Sequence, residues 1–142
     1  MKLSDLLSEM SAVEISTAER TIKHQFRSIG IDIKFTKHFK DRIADGAKDD
    51  HGKRDNITFE ELMNVFNRLK SSHDELFKEA IEFTDEIKLG KFEGVIQEAL
   101  KSINIPFILN FIKSSQTFEL ICKTIMKRKN FHTKNTDHVI KL

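Results

Sequence analysis

The chain has 142 residues, of which 39% are hydrophobic and 32% charged, and its net charge is +2. That length suits one domain with its own core, and that balance excludes a disordered or low-complexity chain. No stretch approaches the ~20 apolar residues that cross a bilayer, and the N-terminus lacks the basic-then-apolar order of a secretory signal, so the expectation is a cytoplasmic protein, or one packaged from the cytoplasm, with no membrane partner.

Twelve Phe stand with no Trp and no Tyr, so the rings can pack but carry no polar handle, and most are expected in the core. The single cysteine, Cys122, has no partner for an internal disulfide and lies in an apolar run, where a buried, inert thiol is expected. The modest net charge hides an asymmetry. From Asp74 to Leu100 eight acids face three lysines; from Lys113 onward seven bases face Glu119 and Asp137. The C-terminal third is therefore the expected anion-facing surface.

In chain order, Leu3, Leu6, Leu7 and Met10 share one helical face, which marks residues 1–15 as an amphipathic, detachable segment ahead of a single domain over 16–142. Ser16 and Glu19 fit a capping box, predicting a helix with Ile22, Phe26 and Ile29 inward and Gly30 as its stop. Ile31 to Phe35 alternates apolar and polar, the period of a half-buried strand. Thr36 then caps a short helix over Lys37 to Asp45, and Gly46 to Asn56 reads as an exposed loop. Thr58 with Glu61 forms a second box, flanked by Ile57 and Leu62 at staple positions, and opens a helix buried through Leu62, Val65, Phe66 and Leu69. Ser72 with Glu75 opens another, with Leu76, Ala80, Phe83 and Ile87 inward. Phe92, Val95, Ile96, Ala99, Leu100 and Ile103 continue at helical spacing until Asn104 and Pro106.

Beyond that point the pattern predicts strands. Ile105 to Ile112 is one, Lys113 to Gln116 a turn, and Thr117 to Met126 a second, with Phe118, Leu120, Cys122 and Met126 on one face and Ile121 and Ile125 on the other. Val139 to Leu142 adds a short last strand. The predicted fold class is α+β: a helix-rich N-terminal two-thirds packed on a small, mainly antiparallel sheet made by the C-terminal strands plus the 31–35 strand.

Two clusters carry candidate chemistry. His38 and Arg42 are four apart and project from one helical face, with Phe39 and Ile43 on the adjacent one. A group that titrates near neutrality beside a permanent cation is what RNA cleavage requires. The alternative is a surface histidine with an arginine paired to Asp41 or Asp45. The second cluster is Lys123, Thr124, Lys127, Arg128, Lys129 and His132 with Phe131 interleaved, the composition of a surface that binds phosphate and stacks bases. Its alternative is a solvated turn whose lysines keep a sheet edge soluble. His24, His51, His73 and His138 lack paired metal-ligand spacing, and the glycines form no phosphate loop or dinucleotide fingerprint, so neither metal nor cofactor is expected.

The segments FTKHFKDRI (Phe35 to Ile43), ITFEEL (Ile57 to Leu62) and KTIMKRKNF (Lys123 to Phe131) resemble the pattern of the RelE and BrnT type of ribonuclease toxin over about 100 residues. The resemblance implies a metal-independent endoribonuclease with His38, Arg42 and Lys127 at the phosphate. It implies Arg54 as the basic residue before a helix, and Thr124 and His132 facing the phosphate from the sheet. Three departures stand out: an extra N-terminal helix, the loop from Gly46 to Asn56, and the acidic segment from Asp74 to Leu100. The opening MKLSDLLSE is similar to the head-targeting peptides on internal proteins of T-even-type phages, although Met10 is larger than the residue usual there; the similarity implies processing after Glu9 and packaging in a virion, and the alternative is an ordinary first helix docked on the core. The second functional reading is accordingly a non-catalytic phage virion or host-takeover protein that binds nucleic acid or a protein partner through its basic C-terminal surface.

Overall fold

A computed structural model describes residues 10–45, 47–48, 54–82, 92–112, 114–129 and 138–142. The first helix, α1 (Ala12–Arg27), starts one capping box earlier than the sequence predicts. The Glu14 amide donates to Ser11 Oγ at 3.1 Å and the Ser11 amide to Glu14 Oε1 at 3.2 Å. Starting here adds Ile15 and Ala18 to the face of Ile22 and Phe26, and places Met10 and Ile15 at the two staple positions. Burial decides between two competing start signals, and α1 therefore begins inside the 1–15 segment; residues 1–9 lie outside the described chain. Gly30 ends the turn at φ +79°, in the left-handed region that a side chain disfavours.

Strand β1 (Ile31–Phe35) buries Ile31, Ile33 and Phe35, and α2 (Lys37–Asp45) comes directly after it with Phe39 and Ile43 inward. The expected loop from Gly46 to Asn56 is corrected in part. It contains two short paired strands, β2 (Ala47–Lys48) and β3 (Arg54–Asp55). Next come α3 (Phe59–Ser71), with the reciprocal Thr58 and Glu61 box in place, and α4 (His73–Glu82), which buries Leu76. Phe83 and Ile87 lie outside the described residues. At Ser72 the bond is backbone to backbone, the Glu75 amide donating to the Ser72 carbonyl at 3.0 Å.

The largest correction falls on residues 92 to 103, which form strand β4 (Phe92–Glu98), a turn, and the start of β5 (Ile103–Ile112) instead of a helix. Apolar residues spaced at three and four satisfy a helical period, yet Val95 and Ile96 are adjacent and both buried, as on the two faces of a central strand. Gly94 gives a second reason. A Cβ there would stand 2.7 Å from the His138 carbonyl oxygen and 2.7 Å from Phe107 Cζ, so the strand passes its neighbours at a distance only glycine permits. Strands β6 (Thr117–Cys122), β7 (Met126–Lys127) and β8 (Val139–Lys141) complete the set.

The sheet is mixed, not mainly antiparallel, and strands interleave with the helices from β1 onward, so the helix-rich block expected before the sheet is corrected as well. The order β1, β6, β5, β4, β8 forms its main body, and β7, β2 and β3 extend it beside the first residues of β5. Tight turns join β4 to β5 and β5 to β6 and make those pairs antiparallel. Strands β1, β2 and β8 enter from distant parts of the chain, and each runs parallel to its partner, β6, β7 and β4 respectively. Helices α1, α2 and α3 cover one face through Ile22, Phe26, Phe39, Leu62 and Phe66, which join Ile33, Ile105, Phe107 and Leu120 in one core. Phe26 meets Phe66 edge-on at 6.1 Å, and Phe35 lies 4.5 Å from Phe39 and 5.6 Å from Phe66. Each such fully buried side chain contributes about 1.5–3 kcal/mol.

Between β6 and β7 the register slips. Phe107 faces Cys122, but Ile103 faces Lys127, so four steps along β5 are matched by five along the other strand. The extra residue is a β-bulge spanning Lys123 to Ile125, opposite Pro106, which has no N–H to donate. Because side chains alternate, one added residue exchanges the faces. Leu120 and Cys122 are buried before it, Ile125 after it. Met126 thus stands on the opposite face from Cys122, a correction to the predicted pattern.

Candidate functional site

Thr36 ties the start of α2 to the bulge. Its Oγ1 accepts the Phe39 amide at 3.1 Å, capping the helix, and donates to the Lys123 carbonyl at 2.9 Å; its own amide donates to the Cys122 carbonyl at 3.2 Å. Three bonds on one residue fix how α2 meets the β6–β7 segment.

The consequence is a cavity of about 140 Å³ lined by His38 and Arg42 from α2 and by Thr124, Ile125, Met126 and Arg128 from the bulge and β7. His38 is exposed and Arg42 half-buried, the i and i+4 positions of one helical face. His38, Arg42, Thr124 and Arg128 share the lining with Ile125 and Met126, and the space, worth roughly five water molecules at about 30 Å³ each, suits a group the size of a tetrahedral oxyanion.

Arg128 is held by its backbone. Its amide donates to the Ser102 carbonyl at 2.9 Å, and its carbonyl accepts Asn104 Nδ2 at 2.8 Å. Asn104 is buried and donates also to the Ser102 carbonyl at 3.2 Å, while Ser102 adopts φ +56° to close the β4–β5 turn. The Arg128 Nε is buried with no hydrogen-bond partner among the described residues. Sequence reasoning missed Asn104; an Asn beside Ile103 and Ile105 at the start of an apolar strand was the available signal.

The remaining candidates separate. Lys127 points to the helical face, where its Nζ donates to the Asn56 carbonyl at 2.9 Å and lies 3.1 Å from Glu61 Oε2, with only 12% of its side chain exposed. The structure thus does not bring it to His38 and Arg42. Burial acts to raise the Glu61 carboxyl, but the Thr58 amide and the Lys127 ammonium outweigh it and hold the group below the ordinary carboxylate range. Lys123 is drawn toward Glu93, at 3.8 Å, and Lys129 lines a different cavity. Arg54 pairs through its backbone with Lys48 on the β2–β3 hairpin, beside β7. Phe131 and His132 lie outside the described residues.

Burial pushes the Cys122 thiol well above its usual range, consistent with an inert core residue. Among the described residues no three His, Cys, Asp or Glu side chains are placed to hold a metal ion, and no helix is long and apolar enough to cross a membrane. Comparison with known protein families, with curated proteins and with solved structures gives no match.

Proposed function

We propose that the cavity between α2 and the bulge binds an RNA phosphodiester and that the chain is a metal-independent endoribonuclease of the RelE and BrnT kind. The observation that carries the reading is the convergence of His38, Arg42, Thr124 and Arg128, contributed by segments more than eighty residues apart, on one phosphate-sized space. In this reading the 2′-oxygen attacks the adjacent phosphorus and the P–O5′ bond breaks, giving a 2′,3′-cyclic phosphate and a 5′-hydroxyl. His38 takes the 2′-hydroxyl proton, solvent protonates the departing 5′-oxygen, and Arg42 and Arg128 hold the charge that gathers on the phosphoryl oxygens.

The test is incubation of the purified protein with mixed RNA in chelator, beside His38→Ala and Arg128→Ala. Cleavage to cyclic-phosphate ends should fall by about 10²-fold or more in each variant. Activity unchanged in both would refute the site. One observation favours a second reading: Lys127, expected at the phosphate, is bonded to Glu61 and does not line the cavity. A non-catalytic nucleic-acid-binding protein, of a phage virion or of host takeover, would bind RNA in a salt-sensitive way and leave it intact across pH.

A further inference from the structure

Arg128 lines two cavities. Besides the small one, it borders a space of about 480 Å³ at the end of the sheet, where the β4–β5 turn, the residues after β7, and β8 meet. Lys129 and Lys141 also line it. The one acidic side chain on its wall among the described residues is already engaged. Glu98 is 1% exposed, its Oε1 accepting Arg68 Nη1 and the Leu100 amide, each at 2.8 Å, and its Oε2 the Lys101 amide at 2.8 Å. Three cations thus border a space whose carboxylate is neutralised from behind. At its rim stands Leu100, 82% exposed on the turn, a large apolar side chain with no core role.

We infer that this second cavity takes the nucleotide next to the phosphate held by His38 and Arg42, so that the protein grips two successive nucleotides of a single strand across Arg128. The inference rests on the RNA reading above and adds a substrate class to it. The larger volume lies in the range of small-ligand pockets and offers room for a base with its sugar. Leu100 offers the base an apolar surface, and Lys141 brings positive charge to its phosphate. A base enters a recess of this shape only when it has left its stack, which single strands allow cheaply and duplexes do not. The Arg128 backbone, clamped by Ser102 and Asn104, holds the guanidinium stem between the two spaces, so its charge serves the phosphate that links them.

The experiment is fluorescence anisotropy with a labelled ten-nucleotide oligoadenylate, carrying 2′-deoxy sugars to prevent cleavage, and with the same strand annealed to its complement. The proteins are wild type, Arg42→Ala, Leu100→Ser and Lys141→Glu, with circular dichroism melts confirming that the exposed Leu100 and Lys141 sites leave the fold intact. Wild type should prefer the single strand by about tenfold, and Leu100→Ser and Lys141→Glu should each erase most of that preference, by about tenfold in affinity. Equal affinity for single strand and duplex overturns the inference. So does weakening by Arg42→Ala alone, with both second-cavity variants at wild-type affinity; that pattern leaves the phosphate site standing. No binding by wild type to either nucleic acid overturns the phosphate site and the inference together.

Discussion

Thr36 uses both halves of one hydroxyl: the oxygen caps α2 and the hydrogen bonds the Lys123 carbonyl eighty-seven residues away. Thr36→Val keeps the shape and removes both bonds. We expect a loss of about 1–2 kcal/mol in urea unfolding, together with a fall in RNA affinity beyond what a cap substitution elsewhere, such as Thr58→Ala, produces. The pair Lys127 and Glu61 makes a different prediction. Glu61 is held below its ordinary pKa in the folded chain, so between that depressed value and the unfolded value near 4.5 the unfolded chain binds more protons. Its contribution to stability is present in full above about pH 5 and is lost as pH falls through the folded value. Urea midpoints measured from pH 7 to pH 3 should drop in that window, and Lys127→Met should flatten the drop while costing about 2 kcal/mol at neutral pH. Cleavage or binding by Lys127→Met should stay near wild type, because the side chain faces away from the cavity.

At the level of elements, the sequence is most readable where a single local rule applies. The capping pair Thr58 and Glu61, the alternation through Ile31 to Phe35, and the i, i+4 placement of His38 and Arg42 all depend on neighbours within four residues. Each is visible without the fold. Residues 92 to 103 mislead because helical spacing and a buried strand leave the same trace over a short apolar run, and only the approach of Gly94 to Phe107 and His138 separates them. Gly94→Ala is accordingly expected to cost about 1–3 kcal/mol by chemical denaturation, since its Cβ would meet a backbone oxygen that cannot rotate away. Exposed Leu100→Ala, only a few residues on, should change stability by less than about 0.5 kcal/mol. The sequence misplaces Lys127 for a related reason: the bulge that turns it to the helical face is set by pairing with Ile103 to Phe107, some twenty residues back, and leaves no mark in the local pattern.

For the molecule as a whole, the charge asymmetry along the chain is partly cancelled in space. Lys127 is drawn to Glu61, Lys123 to Glu93, and the buried Glu98 to Arg68 and two amides. Among the described residues, the C-terminal bases that line the two cavities are Arg128, Lys129 and Lys141, joined by Arg42 from α2. So small a set of cations predicts a modest salt dependence. Three or four phosphate contacts with a single strand give a slope of log affinity against log salt of about −2 to −3, and Arg42→Ala should reduce its magnitude by roughly one contact's share. A slope near zero would contradict a phosphate-binding role for this end of the sheet.

The single added residue between Cys122 and Met126 has a consequence for how the protein tolerates change. It works as a phase shift: everything downstream in the strand faces the side it does because of one insertion. Deleting Thr124 while leaving every other residue in place would restore the frame of β6, turning Lys127 outward and swinging Arg128 toward Asn56 and Glu61 under the helices. Substitution at either basic position alters one side chain. Loss of that one residue would exchange the interior and exterior assignments of Lys127 and Arg128 together, so length at this point in the chain should be guarded more strictly than identity.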